Sequence, residues 1–510
     1  MLPRLQPTAE AFAIPAPTGG WDTRNALADM PPLNAVTLTN WFPDLADVKM
    51  RAGYAEHATG FGGAIGAIHG YTTTAGANQL WAAGGGEIWL ATATGAIDAG
   101  GRLAVVSSRT NDRHQVTMIG TSGANYSFWC NGADTPQVYD GSGTTAAAWN
   151  DSTIVGPTLA NLIWCHTHQR RLWVGEDGTL KVWYLAANSI TGTASSFTLE
   201  GYANKGGKIL AMGSLTRDTG AGMDDIAVFV TSEGQVILYS GTDPASAATW
   251  AMVGVFQIGR PIGNRCLVKY GGDLIIITEQ GFVSLTALLG ADEAEAESPN
   301  VAISHQITEA VLDAVEAYGS NWGWEAIVFP KGRQLIFNIP TEEDVTSEQY
   351  VFNTVTKAPC KFTNINASTW GMMGDRIFFG SGATVGEGYN IYEFNQTTGG
   401  DDGADIPADA IQAFNYFGSR GQLKNFKRAE VVMEGTDTDI SVDLWTDYQI
   451  GTPTDAVQSL DATYGNVKRG WVGVKGRGRS ATIQLKLSSL LGKDAKWLET
   501  SYIYTRGSFI

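Results

Sequence analysis

An all-β chain built around a β-propeller of six to seven blades is what this sequence predicts. Three observations carry that expectation. The chain holds 62 glycines together with 16 Trp, 17 Tyr and 19 Phe; glycine weakens helices, and aromatic side chains suit pleated surfaces, so the balance favours short strands and tight turns. One strand–turn–strand unit recurs seven times. Its starts, at Leu80, Phe128, Leu172, Val228, Ile275, Ile336 and Ile377, are separated by 48, 44, 56, 47, 61 and 41 residues, close to the roughly 40–50 residues that a four-stranded blade consumes.

Each copy of the unit reads locally as a hairpin. LWAAGGGEIWLA, FWCNGADTPQVYD, LWVGEDGTLKVWYL, VFVTSEGQVILYS, IIITEQGFVSLT, IFNIPTEEDVTSEQYVFN and IFFGSGATVGEGYNIYEF are short apolar runs broken by polar or glycine-containing turns. Asp177-Gly178 and Glu233-Gly234 stand where two strands must reverse. A single blade cannot bury both faces of its sheet, so stacking around an axis is the natural solution; a β-sandwich would also show closely spaced strands. The longest gap is explained by an insertion: Ile303, Ile307, Val311, Val315 and Tyr318 recur at helical spacing and predict an amphipathic helix over 301–318. The acidic stretch ADEAEAESPN before it reads as a solvated linker.

The sequence divides into three parts. Residues 1–60 lack the hairpin unit and read as an extended arm and platform segment, with Trp21, Leu27, Met30, Trp41 and Phe42 needing a surface to cover them. Residues 61–400 are the propeller. TTGGDDGADIPADA (397–410) reads as a boundary loop, and 401–510 as a β-sandwich-like platform domain with basic turns such as VKRGWVGVKGRGRS. Charge divides along the same line. Residues 408–510 hold 13 Lys+Arg against 11 Asp+Glu, leaving 21 against 40, a net of −19, for the rest of a chain whose total is −17. So acidic a body opposes tight wrapping of DNA, which needs phosphate neutralisation, and suits a surface that DNA slides past; solubility alone would ask for the same charge.

No run of apolar residues reaches signal-peptide or membrane-span length, so synthesis and assembly in a cytosol are expected. Cys130, Cys165, Cys266 and Cys360 lie far apart without a CxxC pair, which points to reduced, buried thiols.

Little in the sequence points to catalysis. In Cys165-His166-Thr167-His168 the histidines share one strand face and the cysteine the other, but zinc needs three or four convergent ligands and no second pair lies nearby. Ser240-Gly241-Thr242-Asp243 with Thr249-Trp250 is an echo of the Asp-box turn of sialidase propellers, itself a turn device; Arg170-Arg171 offer no arginine cluster for a sugar carboxylate. Asp224-Asp225 and Glu342-Glu343 read as solvated turns rather than a glycosidase pair. Asp401, Asp402, Asp405 and Asp409 miss the EF-hand spacing and read as a flexible linker. GxxxxGK[ST], GxSxG and HExxH are missing from the sequence. No catalytic, cofactor or metal residue is therefore assigned.

Three stretches carry a family resemblance: GGWDTRNALADMPPLNAVTLTNWFPDLADVKMRAGY (19–54), WEAIVFPKGRQLIFNIPTEEDVTSEQYVFNTVTKAPCKF (324–362) and FNYFGSRGQLKNFKRAEVVMEG (414–435). Together, and in this order, they resemble the tail nozzle (tail tubular protein B, or tail hub) of short-tailed, podovirus-type bacteriophages. The resemblance implies a propeller with a platform, a homo-hexameric ring docked below a tail adaptor, tail fibres or spikes near that joint, transient passage of phage DNA without sequence-specific binding, a place in the virion tail, and no enzymatic activity. Trp41 and Phe42 then read as arm anchors, seated in a neighbouring subunit or in the chain's own core, where an intramolecular strand would close the propeller. Lys424, Lys427 and Arg428, flanking Phe426, read as a partner-facing patch or as a charged edge that discourages aggregation. The reading from a different class is a propeller glycosidase or carbohydrate-binding module acting on host surface polysaccharide.

Overall fold

The computed structural model describes residues 8–509, apart from 100, 102, 219–222, 291–301, 383–387, 398, 436–438, 452–456, 460–461, 465–466 and 490–494. The acidic stretch at 291–300 lies outside the described residues.

Seven antiparallel sheets follow one another around an axis. Blade 1 is Ile65–Thr72, Asn78–Gly84 and Ile88–Leu90. Blade 2 is Gln115–Gly120, Asn125–Cys130, Gln137–Tyr139 and Trp149–Asp151, and blade 3 is Leu162–His168, Arg171–Glu176, Lys181–Tyr184 and Ser195–Thr198. Blade 4 comprises Ile209–Asp218, Met223–Thr231, Gln235–Gly241 and Trp250–Gln257. Blade 5 is Leu267–Tyr270, Asp273–Thr278 and Gly281–Ser284. Blade 6 is Glu325–Phe329, Gln334–Glu342, Thr346–Asn353 and Pro359–Phe362. Blade 7 joins Ala367–Met373, Arg376–Ser381 and Tyr389–Gln396 to Gly53–Phe61, which pairs antiparallel with Tyr389–Gln396. First strands of successive blades pack together from blade 2 through blade 7 and on to blade 1. The ring is completed by the aromatic layer of Tyr71 and Trp81 from blade 1 against Trp129, Tyr139 and Trp149 from blade 2. The expected propeller is present, with seven blades.

The repeat read from the sequence marks the same hairpin every time. All seven starts fall in the second strand of a blade, and the units run on into the third. These middle strands are covered on both faces, so they are continuously apolar: Ile275, Ile276 and Ile277 are fully buried, as are Val228, Phe229 and Val230. First strands gave no such signal, and four of the seven contain glycine. Gly70 shows why. A Cβ there would strike the Met372 carbonyl of blade 7, so only glycine permits the backbone approach that shuts the ring.

The N-terminal segment is not a free arm. Asn34–Thr39 lies between Pro359–Phe362 of blade 6 and Ile406–Gln412, merging blade 6 and the platform into one ten-stranded sheet. That sheet continues through Ala481–Ser489, Asp439–Thr446 and Val457–Ser459. Packed against it is a seven-stranded sheet of Ala9–Pro15, Trp41–Pro43, Val48–Met50, Gln422–Glu434, Ala462–Tyr464, Val467–Gly478 and Lys496–Phe509. One apolar core runs from Phe282 and Phe337 in the propeller to Trp41, Trp497, Ile483 and Val472 in the platform. Gly53–Phe61, grouped with the arm by its sequence, belongs to blade 7.

Three local expectations change. The helix spans Thr308–Tyr318 after a 3-10 turn at His305–Ile307, because Ser304 is drawn out of it: its hydroxyl accepts the Phe282 amide at 3.0 Å. VKRGWVGVKGRGRS is mostly strand (Val467–Gly478) rather than turn. Two of its glycines serve packing, since a Cβ on Gly476 or Gly478 would crowd Leu444 or Thr446 of the facing sheet. The stretch read as a boundary loop ends in the strand Ile406–Gln412, where each oxygen of the Asp409 carboxylate lies 2.9 Å from the donating Gln484 Nε2.

Candidate functional site: the arm joint and the axial node

Two polar clusters organise the molecule, and neither was assigned a role by the sequence. The first is where arm, propeller and platform meet. Asn40 adopts a left-handed φ of 57°, a conformation asparagine tolerates better than most residues, and this turns Trp41 and Phe42 into the core. Both are buried, Trp41 beside Trp497 (ring centroids 6.1 Å) and Phe42 beside Phe362 (6.5 Å). Arg51, its side chain fully buried, spends its guanidinium on the same joint. Nε donates to Asn40 Oδ1 at 2.8 Å, and the two terminal nitrogens donate to the Asp401 carboxylate at 2.7 and 2.5 Å. The Ala52 and Thr363 carbonyls take the remaining bonds at 3.0 and 2.9 Å. Asn40 Nδ2 donates in turn to Thr363 Oγ1 and to the Pro407 carbonyl. Burial pushes the Asp401 carboxyl above its ordinary range, and the Arg51 guanidinium opposes that shift.

The second cluster sits at the axis. Arg265, just ahead of blade 5, reaches across four other blades. It donates to Glu325 at 2.8 Å (blade 6), Thr369 Oγ1 at 2.8 Å (blade 7), the Gly66 carbonyl at 2.6 Å (blade 1) and the His114 carbonyl at 2.8 Å beside blade 2. Glu325 also accepts the Trp370 amide. Burial raises the Glu325 carboxyl, and Arg265 opposes the shift. Arg265 and Arg113 both lie over the Trp322 ring, 5.1 and 4.9 Å from its centroid. Arg113 pairs with Glu343 at 2.5 Å, whose other oxygen accepts the Trp322 amide. Side chains thus fill this end of the axis, and the hollow beside Trp322 and Asp344 holds only about 10 Å³, room for about one water.

The residues singled out by sequence are placed as follows. Trp41 and Phe42 are seated in the chain's own core, the second of their two readings, and Lys424 is turned inward, which corrects its reading as a partner-facing patch or charged edge. Lys424 is 1% exposed, and its ammonium donates to the carbonyls of Ser419, Gln422 and Arg479. Burial lowers its pKa. Lys427 and Arg428 are exposed. His166 and His168 share a face as expected and converge on one hydroxyl, Ser214 Oγ, at 2.9 and 2.8 Å, while Cys165 points to blade 2. Among the described residues no three His, Cys, Asp or Glu side chains are grouped to hold a metal ion.

The remaining acids are structural. Asp243 caps its turn and pairs with Arg171 at 3.2 Å. Asp225 accepts the Thr216 hydroxyl, and the side chain of Asp224 lies outside the described residues. Asp401 and Asp409 are strand and joint residues rather than a linker. The cavity of about 650 Å³ between blades 4 and 5 is lined by Thr216, Tyr270, Asp273, Ser284 and Thr286. Its one carboxylate, Asp273, is occupied by Ser284 and Thr286. Arg51 was visible in the Arg-x-Gly-Tyr run; Arg265 and Glu325 had no sequence signal, since their partners come from five separate blades.

No protein-family model and no curated protein sequence matches the chain. Among solved structures it is similar to an exo-β-1,3-galactanase from Phanerochaete chrysosporium bound to galactose, at 13% identity and a TM-score of 0.28, over 76% of this chain and 95% of that one. It is also similar to the β-propeller domain of Cps50 (Swd1) from Myceliophteria thermophila, at 10% identity and a TM-score of 0.41, over 68% and 100%. The propeller itself rests on the strand pairing described above. No helix among the described residues is long and apolar enough to cross a membrane.

Proposed function

We propose that this protein is a non-enzymatic assembly component of a short-tailed phage tail, a nozzle subunit that works as a homo-hexamer between a tail adaptor and the DNA exit. One observation carries the reading. The three stretches that resemble the nozzle family are far apart in sequence yet contribute side chains to one apolar core, among them Trp41, Phe337 and Phe426. Residues 19–54 supply Asn34–Thr39 and the Trp41–Met50 hairpin, residues 324–362 are blade 6, and residues 414–435 supply Gln422–Glu434. A likeness confined to segments that share one core is what a shared architecture would leave.

The mechanism is mechanical and electrostatic. Side chains fill the propeller axis at Arg265, so the DNA path in this reading runs between copies rather than through a propeller. The net of −19 over residues 1–407 keeps phosphate from sticking there. The exposed Lys427 and Arg428, within residues 408–510 where Lys+Arg exceed Asp+Glu by 13 to 11, suit an adaptor, fibre or spike contact in the virion.

The rival reading, a glycan-directed propeller, is favoured by half-buried Trp322 with Glu343 and Asp344 beside it at the axial mouth. The hollow there is far below the roughly 300–1,000 Å³ of a small-molecule site. One preparation separates the two. Purified chain, alone and with its adaptor, is imaged and sized, and the same samples are assayed for sugar release from host envelope polysaccharide. Six-fold rings on the adaptor support the nozzle; sugar release by the monomer, with no ring under any condition, overturns it.

A further inference from the structure

Two of the four cysteines, 35 residues apart in a chain whose thiols form no sequence pair, meet between blades 2 and 3. Cys130 ends the second strand of blade 2, and Cys165 sits in the first strand of blade 3. These strands approach to within 8 Å between Cα atoms. Both thiols point at one acceptor, the Gln115 carbonyl, at 3.9 Å from Cys130 and 3.5 Å from Cys165. Both lie in the same apolar layer, with Phe128, Leu172 and Val174. Cys266 and Cys360 belong to the other core, around Phe282 and Phe362.

No strand pairing crosses from blade 2 to blade 3 among the described residues; only side chains hold the two together. We propose that Cys130 and Cys165 form a disulfide site that ties blade 2 covalently to blade 3 under an oxidant as small as hydrogen peroxide. Cys165, the less buried of the two, attacks as thiolate. Its sulfur bonds one peroxide oxygen, the O–O bond breaks, and hydroxide leaves and takes up a proton, giving a sulfenic acid. The Cys130 sulfur then displaces that oxygen. The S–S bond forms, and a second water departs with the Cys130 proton. Two thiols have lost two electrons, and the peroxide has gained them. Burial holds the Cys165 thiol well above its ordinary pKa, so the reaction is slow and is run for hours at mildly alkaline pH. This inference does not depend on the nozzle reading.

The test uses the full chain. It is incubated with hydrogen peroxide, denatured in an alkylating reagent, titrated for thiols and mapped by peptide mass spectrometry without reductant. Titratable thiols fall from four to two, one linked peptide pair joins Cys130 to Cys165, and the oxidised chain melts at a higher temperature than the reduced one. C165S and C130S each retain three thiols and give no linked pair. Four thiols remaining under conditions that oxidise a solvent-exposed control thiol overturn the proposal. So does a bond to Cys266 or Cys360, a bond between two chains, or a sulfenic or sulfinic Cys165 with Cys130 left free. The wild-type count decides the matter even where a variant fails to fold.

Discussion

Replacing Arg51 with methionine tests the joint on which the architecture rests. The substitution keeps the length and the apolar stem and deletes five donated hydrogen bonds, two of them to Asp401. Asp401, its side chain 5% exposed, would be left as a buried carboxylate without its counter-ion. Breaking one side of a buried, hydrogen-bonded pair costs about 3–5 kcal/mol. Removing both charges costs less, because the surviving partner's desolvation dominates the single loss. R51M is therefore expected to lose about 3–5 kcal/mol, and R51M/D401N clearly less than the sum of the two single variants, with a coupling above about 1 kcal/mol. Urea unfolding followed by tryptophan fluorescence reads this, since Trp41 and Trp497 pack in the same core. The pH dependence has a definite sign. Asp401 already titrates above its ordinary value, and without Arg51 it rises further. A carboxyl whose folded pKa exceeds its unfolded one favours folding when protonated, and that contribution is lost as pH rises from the unfolded to the folded pKa. R51M should thus lose less stability at pH 4.5 than at pH 7.5. A loss below about 1 kcal/mol, or strict additivity in the cycle, would refute the joint.

At the axis, R265K should behave almost like R265L, with a loss of about 2–4 kcal/mol, because an ammonium cannot reproduce the planar fork that reaches Glu325, Thr369, Gly66 and His114 together; hydrogen exchange should quicken first in Ile65–Thr72 and Gln115–Gly120. Burial holds the imidazoles of His69, His114 and His166 down to about 4. Groups depressed on folding add stability that is complete above their unfolded pKa near 6.5 and lost as pH falls toward about 4, so the melting temperature should drop between pH 7 and pH 4.5, and H114Q should flatten that drop. G70A should open the blade 7–blade 1 closure, since its methyl would overlap the Met372 carbonyl; it is expected to cost at least about 2 kcal/mol and to speed proteolysis near that seam. The outer strand of blade 4, Trp250–Gln257, contains no charged residue and exposes Met252, Val253 and Val255 along an edge that no strand pairs among the described residues. V253K should leave thermal stability within about 0.5 kcal/mol while reducing concentration-dependent association seen by light scattering.

The hairpin that repeats was legible in the sequence because the middle strands of each blade are buried on both faces; the count of seven, within the six to seven expected, was fixed by the strand pairing. Double burial writes an uninterrupted apolar run, as in Ile275–Ile277, and the turn between two such runs writes glycine or aspartate. First strands carry no such run, glycine interrupting four of the seven, and five of the seven outer strands have only three or four residues, so neither set was seen in advance. The helix was visible from its period, although its start was displaced by Ser304, whose hydroxyl answers a backbone amide elsewhere. Trp41 and Phe42 announced burial without announcing against what.

What the tertiary structure alone decided is where distant segments meet. Asn34–Thr39 enters between blade 6 and Ile406–Gln412 because an open sheet edge on each side demands a hydrogen-bonded neighbour, and nothing local in NAVTLT names those partners. The charge of Lys424 suggested an outward patch, yet three carbonyls gather around its ammonium only after the surrounding strands have paired. Arg265 and Glu325 are ordinary charged residues until seven blades close and bring their acceptors to one axis. Local chemistry determined the repeating hairpin and the helix. Closure of the ring and insertion of the arm determined which polar groups lost their water, and those groups became the joint and the axial node.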